Sequence, residues 1–176
     1  IQMHKHSINH SLKNYEKIET ISFLVKKLMA PNPSPFTLYG TGTYIIGRKQ
    51  ICIIDPGPLI ESHINKILNS VDKNLISHIL ITHTHADHSP AANIIKKETG
   101  AKTYAYDSYP KGIIGNRFEE AHDKSFTPDV KLRDSDMVQG KDWTIKAIHT
   151  PGHTSNHLCF FLEQEKILFT GDHVMG

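Results

Sequence analysis

One stretch, ILITHTHADHSP at residues 79–90, constrains the fold and the chemistry of this chain more than any other. It begins with an apolar run typical of a buried strand and then places three histidines and an aspartate within six positions. Ionisable side chains that lose water without gaining partners cost free energy. The stretch is therefore either a solvated polar loop or a site for a cation, and the rest of the chain must distinguish the two.

Two later segments repeat the pattern of a strand followed by side chains that can bind metals. One strand-like run leads into HTPGH at 149–153, and another leads into TGDH at 170–173. Loops at the carboxyl ends of strands in a parallel or mixed sheet meet in a shared crevice. We therefore expect the three polar clusters to converge.

The spacing in the first cluster suits a metal. Residues two apart in extended backbone face the same way, so His83 and His85 can present two imidazoles to one cation. A turn into a helix at 89–90 would let Asp87 and His88 face a neighbouring position. Imidazole and carboxylate ligands suit zinc, and they also tolerate iron or manganese.

The chain around these clusters alternates strand and helix patterns, which predicts an α/β layered domain. Strands are predicted at 37–47, 51–55, 77–83, 102–106, 142–149, 158–163 and 166–170, the last two as a hairpin. Helices are predicted at 59–68 and 90–99. Ser89 is the expected cap of the second helix, and Gly100 ends it.

The segment 107–128 has no clean period and is predicted to be a loop that borders a binding pocket. It carries Arg117, Glu119 and His122, none of which dictates a ligand.

Composition and the pattern of apolar residues argue against a DNA-binding protein and against a membrane-spanning one. The net charge of +2 gives no strong electrostatic case for nucleic acid, and we predict no DNA partner. The apolar stretch at 21–31 is too short to span a membrane and is split by two lysines. Cys52 and Cys159 lie in apolar runs and are predicted to be buried free thiols, which favours a cytoplasmic location.

Taken together, these residues resemble the metallo-β-lactamase superfamily. HTHADH is similar to its H-x-H-x-D-H motif, TPGHT to its second histidine loop, TGD to its bridging aspartate and IDPG to its first structural turn. The resemblance divides the chain into an N-terminal tail and first segment, 1–30, and a metallo-β-lactamase-like domain, 31–176. NPSPFTLYGTGTYIIG and HTPGHTSNH look more like the lactamase-β-like branch, which includes ribonucleases and uncharacterised hydrolases, than like antibiotic-degrading enzymes.

The resemblance implies two zinc sites, with iron or manganese as alternatives. The first metal would be held by His83, His85 and His153, and the second by Asp87 and His88. Asp172 would bridge both ions.

Neighbouring residues receive other roles. His149 and His173 are read as structural, and Asp55 as a hydrogen-bond partner behind a ligand. Asp87 has a second candidate role, orienting the nucleophile. His157 could donate to an oxyanion or leaving group, or it could be a structural histidine; the sequence favours neither.

The implied fold is α/β, an αββα sandwich that is incomplete at its C-terminus. The family supplies a further histidine downstream of the aspartate loop, whereas this sequence stops at Gly176. We therefore expect a truncated chain, with apolar surface that a missing C-terminal segment or an oligomer would cover.

The predicted function is hydrolysis by a metal-bound hydroxide of an ester, thioester, lactam or phosphodiester, with a small molecule or RNA as substrate. Three alternatives stay open: a metal-dependent endoribonuclease, an iron-dependent oxidoreductase, and a metal-binding module without catalysis.

Overall fold

The computed structural model describes residues 15, 17–35, 37, 39–108, 122–152 and 154–172. Within those ranges the strands are β1 (Glu19–Thr20), β2 (Val25–Met29), β3 (Gly42–Ile46), β4 (Ile51–Ile54), β5 (Ile76–Leu80), β6 (Lys102–Ala105), β7 (Val130–Lys131), β8 (Met137–Gln139), β9 (Thr144–His149), β10 (Leu158–Leu162) and β11 (Ile167–Phe169). The helices are α1 (Glu61–Asn69) and α2 (Ala92–Thr99), with a 3-10 turn at Lys73–Leu75.

The strands form two sheets. β1 to β7 make the larger sheet in chain order, antiparallel from β1 to β4 and parallel from β4 to β7. The smaller sheet is antiparallel throughout, in the order β11-β10-β9-β8. Because β4 and β5 run parallel, the residues that follow them emerge at the same edge of the larger sheet.

Strand β4 shows why the core has two parts. All four of its residues, ICII, are buried. Cys52 and Ile54 belong to an apolar cluster with the smaller sheet, and Ile51 and Ile53 to a second cluster with the two helices. A strand covered on both faces needs a continuous apolar run, and the alternation of side chains sends successive residues to opposite layers. The described part of the chain thus supplies helix, sheet and sheet layers in the order of the predicted sandwich.

Several predicted elements are confirmed. The hairpin of β10 and β11 pairs Phe160 with Phe169. Helix α1 lies within one residue or two of its predicted ends, and α2 ends at Gly100, whose φ of 74° is left-handed. Both cysteines are free and buried.

Other details were predicted wrongly. Ser89 does not cap α2, because its hydroxyl donates to the Asp123 carboxylate at 2.9 Å, and the helix begins at Ala92. The strand predicted at 37–47 begins only at Gly42, after a turn.

The expected boundary at residue 31 stays a prediction. β1 and β2 precede that residue, and β2 pairs with β3 over five residue pairs. Among the helices of the described ranges, none has the length and apolar character needed to cross a membrane.

Candidate metal centre

Three strand ends meet at one edge of the two sheets. Asp55 follows β4, the stretch 81–88 follows β5, and Asp172 follows β11 of the smaller sheet. Gly171 lets the last of these approach closely, since its φ is +51° and a Cβ there would lie 2.7 Å from the hydroxyl of Thr82. A larger residue at this position would separate the two sheets where the polar clusters converge.

The converging side chains form two groups that share Asp172. His83, His85 and Asp172 offer ligand atoms within 4.8 Å of one another, and so do Asp87, His88 and Asp172. The two oxygens of the Asp172 carboxylate divide between the groups. Oδ2 lies 3.3 Å from His83 Nε2, and Oδ1 lies 3.3 Å from His88 Nε2. Asp172 is thus the residue that the two groups share, and its bridging role stays a prediction.

Asp55 orients the ring of His88. A carboxylate only accepts hydrogen bonds, so at 2.9 Å from Asp55 the Nδ1 of His88 must be the donor. In the neutral ring, Nε2 then carries the lone pair. It is buried and lies 3.2 Å from Asp87 and 3.3 Å from Asp172.

Asp55 also orients His83, through Thr82. The single hydroxyl proton of Thr82 goes to Asp55 Oδ2 at 2.6 Å, so His83 Nδ1, at 3.0 Å, must donate to that hydroxyl. The lone pair of a neutral His83 is therefore on Nε2, which faces Asp172. One buried acceptor thus presents two imidazoles as ligands, which is how metal sites fix their histidine tautomers. These residues fit a bound cation.

The charges at the site also favour a cation. Burial lowers the pKa of His88, but Asp55, Asp172 and Asp87 outweigh that effect and hold the pKa well above its usual value. Burial raises the pKa of Asp172, but its side-chain contacts with His83 and His88 and the positive charge that His88 can carry hold it well below its usual range. For Asp87, burial raises the pKa, while His88 and Thr41 bring it down to about 2.

Both carboxylates are therefore ionised at neutral pH, and a proton on His88 competes with a cation for the same lone pair. His83 differs from His88: burial and then the charge of His88 lower its pKa. A neutral imidazole is the form that binds metals.

Not every predicted site residue can be placed. His153 and His173 lie outside the described residues, as do Arg117 and Glu119. The ligand role predicted for His153 thus stays a prediction.

Among the described residues, His157 and His149 belong to neither ligand group. His157 is fully buried, stacks at 5.1 Å on the ring of His83 and contacts the Thr150 hydroxyl through Nδ1 at 2.8 Å. Its predicted donation to substrate stays a prediction, and burial favours the structural reading. His149 stacks on Tyr106 at 4.2 Å and contacts the carbonyl of Ser155, away from both ligand groups.

Two further residues lie at the site: His122, which belongs to the segment predicted to border a pocket, and Thr41, for which no role was predicted. His122 pairs with His85 in an isolated β-bridge and stacks on its ring at 4.4 Å, so the 107–128 segment reaches the site there. Thr41 donates to Asp87 from 46 positions away in the chain. The contact of His122 agrees with the predicted position of its segment beside a pocket, whereas the contact of Thr41 with Asp87 has no signal in local spacing.

The family model of the metallo-β-lactamase superfamily matches residues 37–175. With that match and this site, the chain belongs to the metallo-β-lactamase superfamily.

Named relatives come from fungi. The atrochrysone carboxyl ACP thioesterase dmxR1 of a Cryptosporiopsis species is 35% identical over 169 residues, covering 94% of this chain and 48% of the relative. The lactamase-like protein ptaB of Pestalotiopsis fici is 32% identical over 169 residues, covering 94% of this chain and 50% of its own. The chain thus spans about half the length of these relatives, 48% and 50%.

Solved structures share the fold. The subclass B3 metallo-β-lactamase BJP-1 of Bradyrhizobium japonicum superposes with a TM-score of 0.67 at 21% identity, covering 86% of this chain and 60% of that one. ETHE1 of Myxococcus xanthus superposes with a TM-score of 0.62 at 24% identity, covering 88% and 59%. At these identities the likeness concerns the fold.

Proposed function

We propose that the chain carries the metal centre of a metal-dependent hydrolase whose substrate is a thioester. One observation carries the proposal: His83 and His88 both present Nε2 to the single carboxylate of Asp172, 3.3 Å away in each case. The choice of a thioester rests on relatives that are named ACP thioesterases. A thioester joined to a carrier protein or to a small thiol is therefore the proposed substrate class.

Zinc is the proposed metal, with two ions in the site. The donors are imidazoles and carboxylates, which also accept iron or manganese. Neither cysteine belongs to a ligand group within the described ranges. Because both are free thiols, we also propose a cytoplasmic location, where thiols stay reduced.

The residues of the chain divide the work of hydrolysis. A divalent ion, when bound, would lower the pKa of a bound water to about 7 and would stabilise negative charge on the attacked carbonyl. Asp87 and Asp172 are ionised and can accept hydrogen bonds from the attacking water, which orients it. The water oxygen bonds to the acyl carbon, the carbon–sulfur bond breaks, and the water proton passes to the leaving thiolate.

Thioester hydrolysis by the zinc-loaded protein tests the proposal. A thiol-trapping dye would measure the thiol released from an acyl thioester. A carrier-protein thioester would be the second substrate. Asp172→Asn and His85→Ala should each lower kcat/KM by at least about 100-fold. Removal of a ligand's hydrogen-bond partner typically lowers metal affinity or activity by about 10–100-fold, and removal of the ligand itself should lower them at least as much. His78→Gln is the matched control. His78 lies on β5 against Trp143 and Tyr104 and outside both ligand groups, so its substitution should leave activity near the wild-type value.

Full activity in both site variants would refute the proposal. Cleavage of RNA but not of thioesters would favour the endoribonuclease alternative. Tight metal binding without turnover of either substrate would favour a non-catalytic module, and iron in protein purified without added metal would favour the oxidoreductase.

A further inference from the structure

The loop between β2 and β3 reaches the metal centre through one hydroxyl. Thr41 is 5% exposed, and its Oγ1 lies 2.9 Å from Oδ2 of Asp87, which belongs to the second ligand group. Behind Thr41, and on the same loop, lies Asn32. Its side-chain amide contacts Thr41 at two atoms, the backbone nitrogen at 2.9 Å and Oγ1 at 3.1 Å.

The direction of each proton in this chain of contacts can be deduced. The backbone N–H of Thr41 can only donate, so the amide oxygen of Asn32 is the atom that faces it. The amide nitrogen of Asn32 therefore faces the Thr41 hydroxyl, and it can only donate. A hydroxyl that already accepts from Asn32 directs its own single proton elsewhere, and Asp87 is the acceptor within reach. Three residues thus form a relay of fixed polarity that ends on a candidate ligand.

Asn32 is itself held in place. Its backbone N–H donates to the carbonyl of Ala30 at 2.9 Å, and its carbonyl accepts the Thr37 hydroxyl at 2.6 Å. The backbone N–H of Ala30 donates to the carbonyl of Thr41 at 2.9 Å, which joins the two ends of the loop. Because Asn32 is restrained, it can restrain the Asp87 carboxylate through Thr41. A ligand that accepts a hydrogen bond binds its metal more tightly than a ligand without one.

We propose that Asn32 and Thr41 are positioning residues that hold the Asp87 carboxylate toward the second cation, so that the 30–41 loop sets the affinity of that site. The proposal rests on the metal centre of the proposed function. Their hydrogen bonds lead to Asp87, a member of the second ligand group, so the effect should fall mainly on the second ion.

The test is a titration of metal-free protein with Co²⁺, followed by its visible absorption and needing no turnover. In Thr41→Val the second binding step should weaken 10–100-fold, the cost expected when a ligand loses its hydrogen-bond partner. Thr41→Ser keeps the hydroxyl and should stay within about threefold of wild type. Thr103→Val is the matched control: Thr103 is also buried and also donates to an aspartate, Asp129 at 3.0 Å, but lies on β6 outside the ligand groups. It should bind both ions normally.

Asn32→Asp separates positioning from simple electrostatics. The new carboxylate keeps the contact with the Thr41 nitrogen but cannot donate to the hydroxyl, so it competes with Asp87 for the hydroxyl proton. The relay predicts weaker binding of the second ion, by 10-fold or more. An added negative charge acting only through space would strengthen cation binding instead. Asn32→Asp also tests the proposal if Thr41→Val fails to fold.

The outcomes separate this inference from the proposed function. Wild-type protein that binds no ion would overturn both, and wild-type protein that binds only one ion would overturn the positioning role alone. Wild-type protein that binds two ions, together with a Thr41→Val protein that binds them equally well or an Asn32→Asp protein that binds the second more tightly, would overturn only the positioning role.

Discussion

At the scale of single residues, the pKa values of two buried histidines near Asp55 are shifted in opposite directions. His88 is surrounded by three carboxylates. His63 lies behind the Asp55 turn, is 3% exposed, and contacts the Thr43 hydroxyl at 2.9 Å. Thr43 gives its proton to the carbonyl of Asp55, so His63 must donate through Nε2. Burial lowers the pKa of His63 from 6.5 to about 4, and the ring is neutral at pH 7.

Because the pKa of His63 is lower in the folded protein than in the unfolded chain, this residue makes the free energy of unfolding depend on pH. Between about pH 6.5 and pH 4 the unfolded chain binds a proton at His63 that the folded chain does not, so its contribution to stability is lost as pH falls through that window. The contribution is about 3 kcal/mol, at 1.36 kcal/mol per unit of pKa. The cost of His63→Gln, measured by urea unfolding, should therefore be about 3 kcal/mol smaller at pH 4 than at pH 7. A cost that does not change with pH would contradict the assignment.

At the scale of elements, the two sheets join around Trp143. Its indole is 1% exposed and donates to the carbonyl of Gln50 at 2.8 Å. Strands with a continuous or alternating apolar pattern, such as β4 and β10, could be predicted from sequence. β1 and β7 could not, since each has only two residues. β2 was also not predicted. Its sequence VKKLM buries the first and fourth residues, whereas a strand with one face exposed to solvent buries every second residue.

Gly140 is the element-scale test of this packing. A Cβ there would lie 2.2 Å from the Trp143 ring, so Gly140→Ala should lower the free energy of unfolding by about 1–3 kcal/mol through overpacking. Gly152→Ala is the control, because no described atom lies within 4 Å of its Cβ position. It should change stability by no more than about 0.5 kcal/mol. Equal melting temperatures for the two variants would show that the Trp143 indole can move aside without loss of stability.

At the scale of the whole molecule, the candidate centre ties one sheet to the other. His83 and His88 come from the larger sheet and Asp172 from the smaller. A cation that binds only the folded protein stabilises it by mass action, by about 2.7 kcal/mol when its concentration is 100 times its Kd. Metal removal should therefore weaken the contact between the sheets as well as the chemistry.

Thermal denaturation of chelated protein against added zinc tests this link. The melting temperature should rise steadily with zinc concentration, and a magnesium series should have little effect because magnesium prefers oxygen ligands and retains its water. A melting temperature independent of zinc would mean that the ligands do not bind a cation in the folded state.

The sequence by itself determined the candidate ligands of this protein: their types, their spacing and their positions after apolar strands. Local spacing suffices for this because side-chain periodicity is a property of a few consecutive residues. Only the tertiary structure decided that β4 and β5 run parallel, which brings Asp55 behind His83 and His88, and that Thr41 reaches Asp87. These contacts depend on which strands pair across tens of residues, and that choice is made by burial of both faces of a sheet at once, which no short window of sequence records.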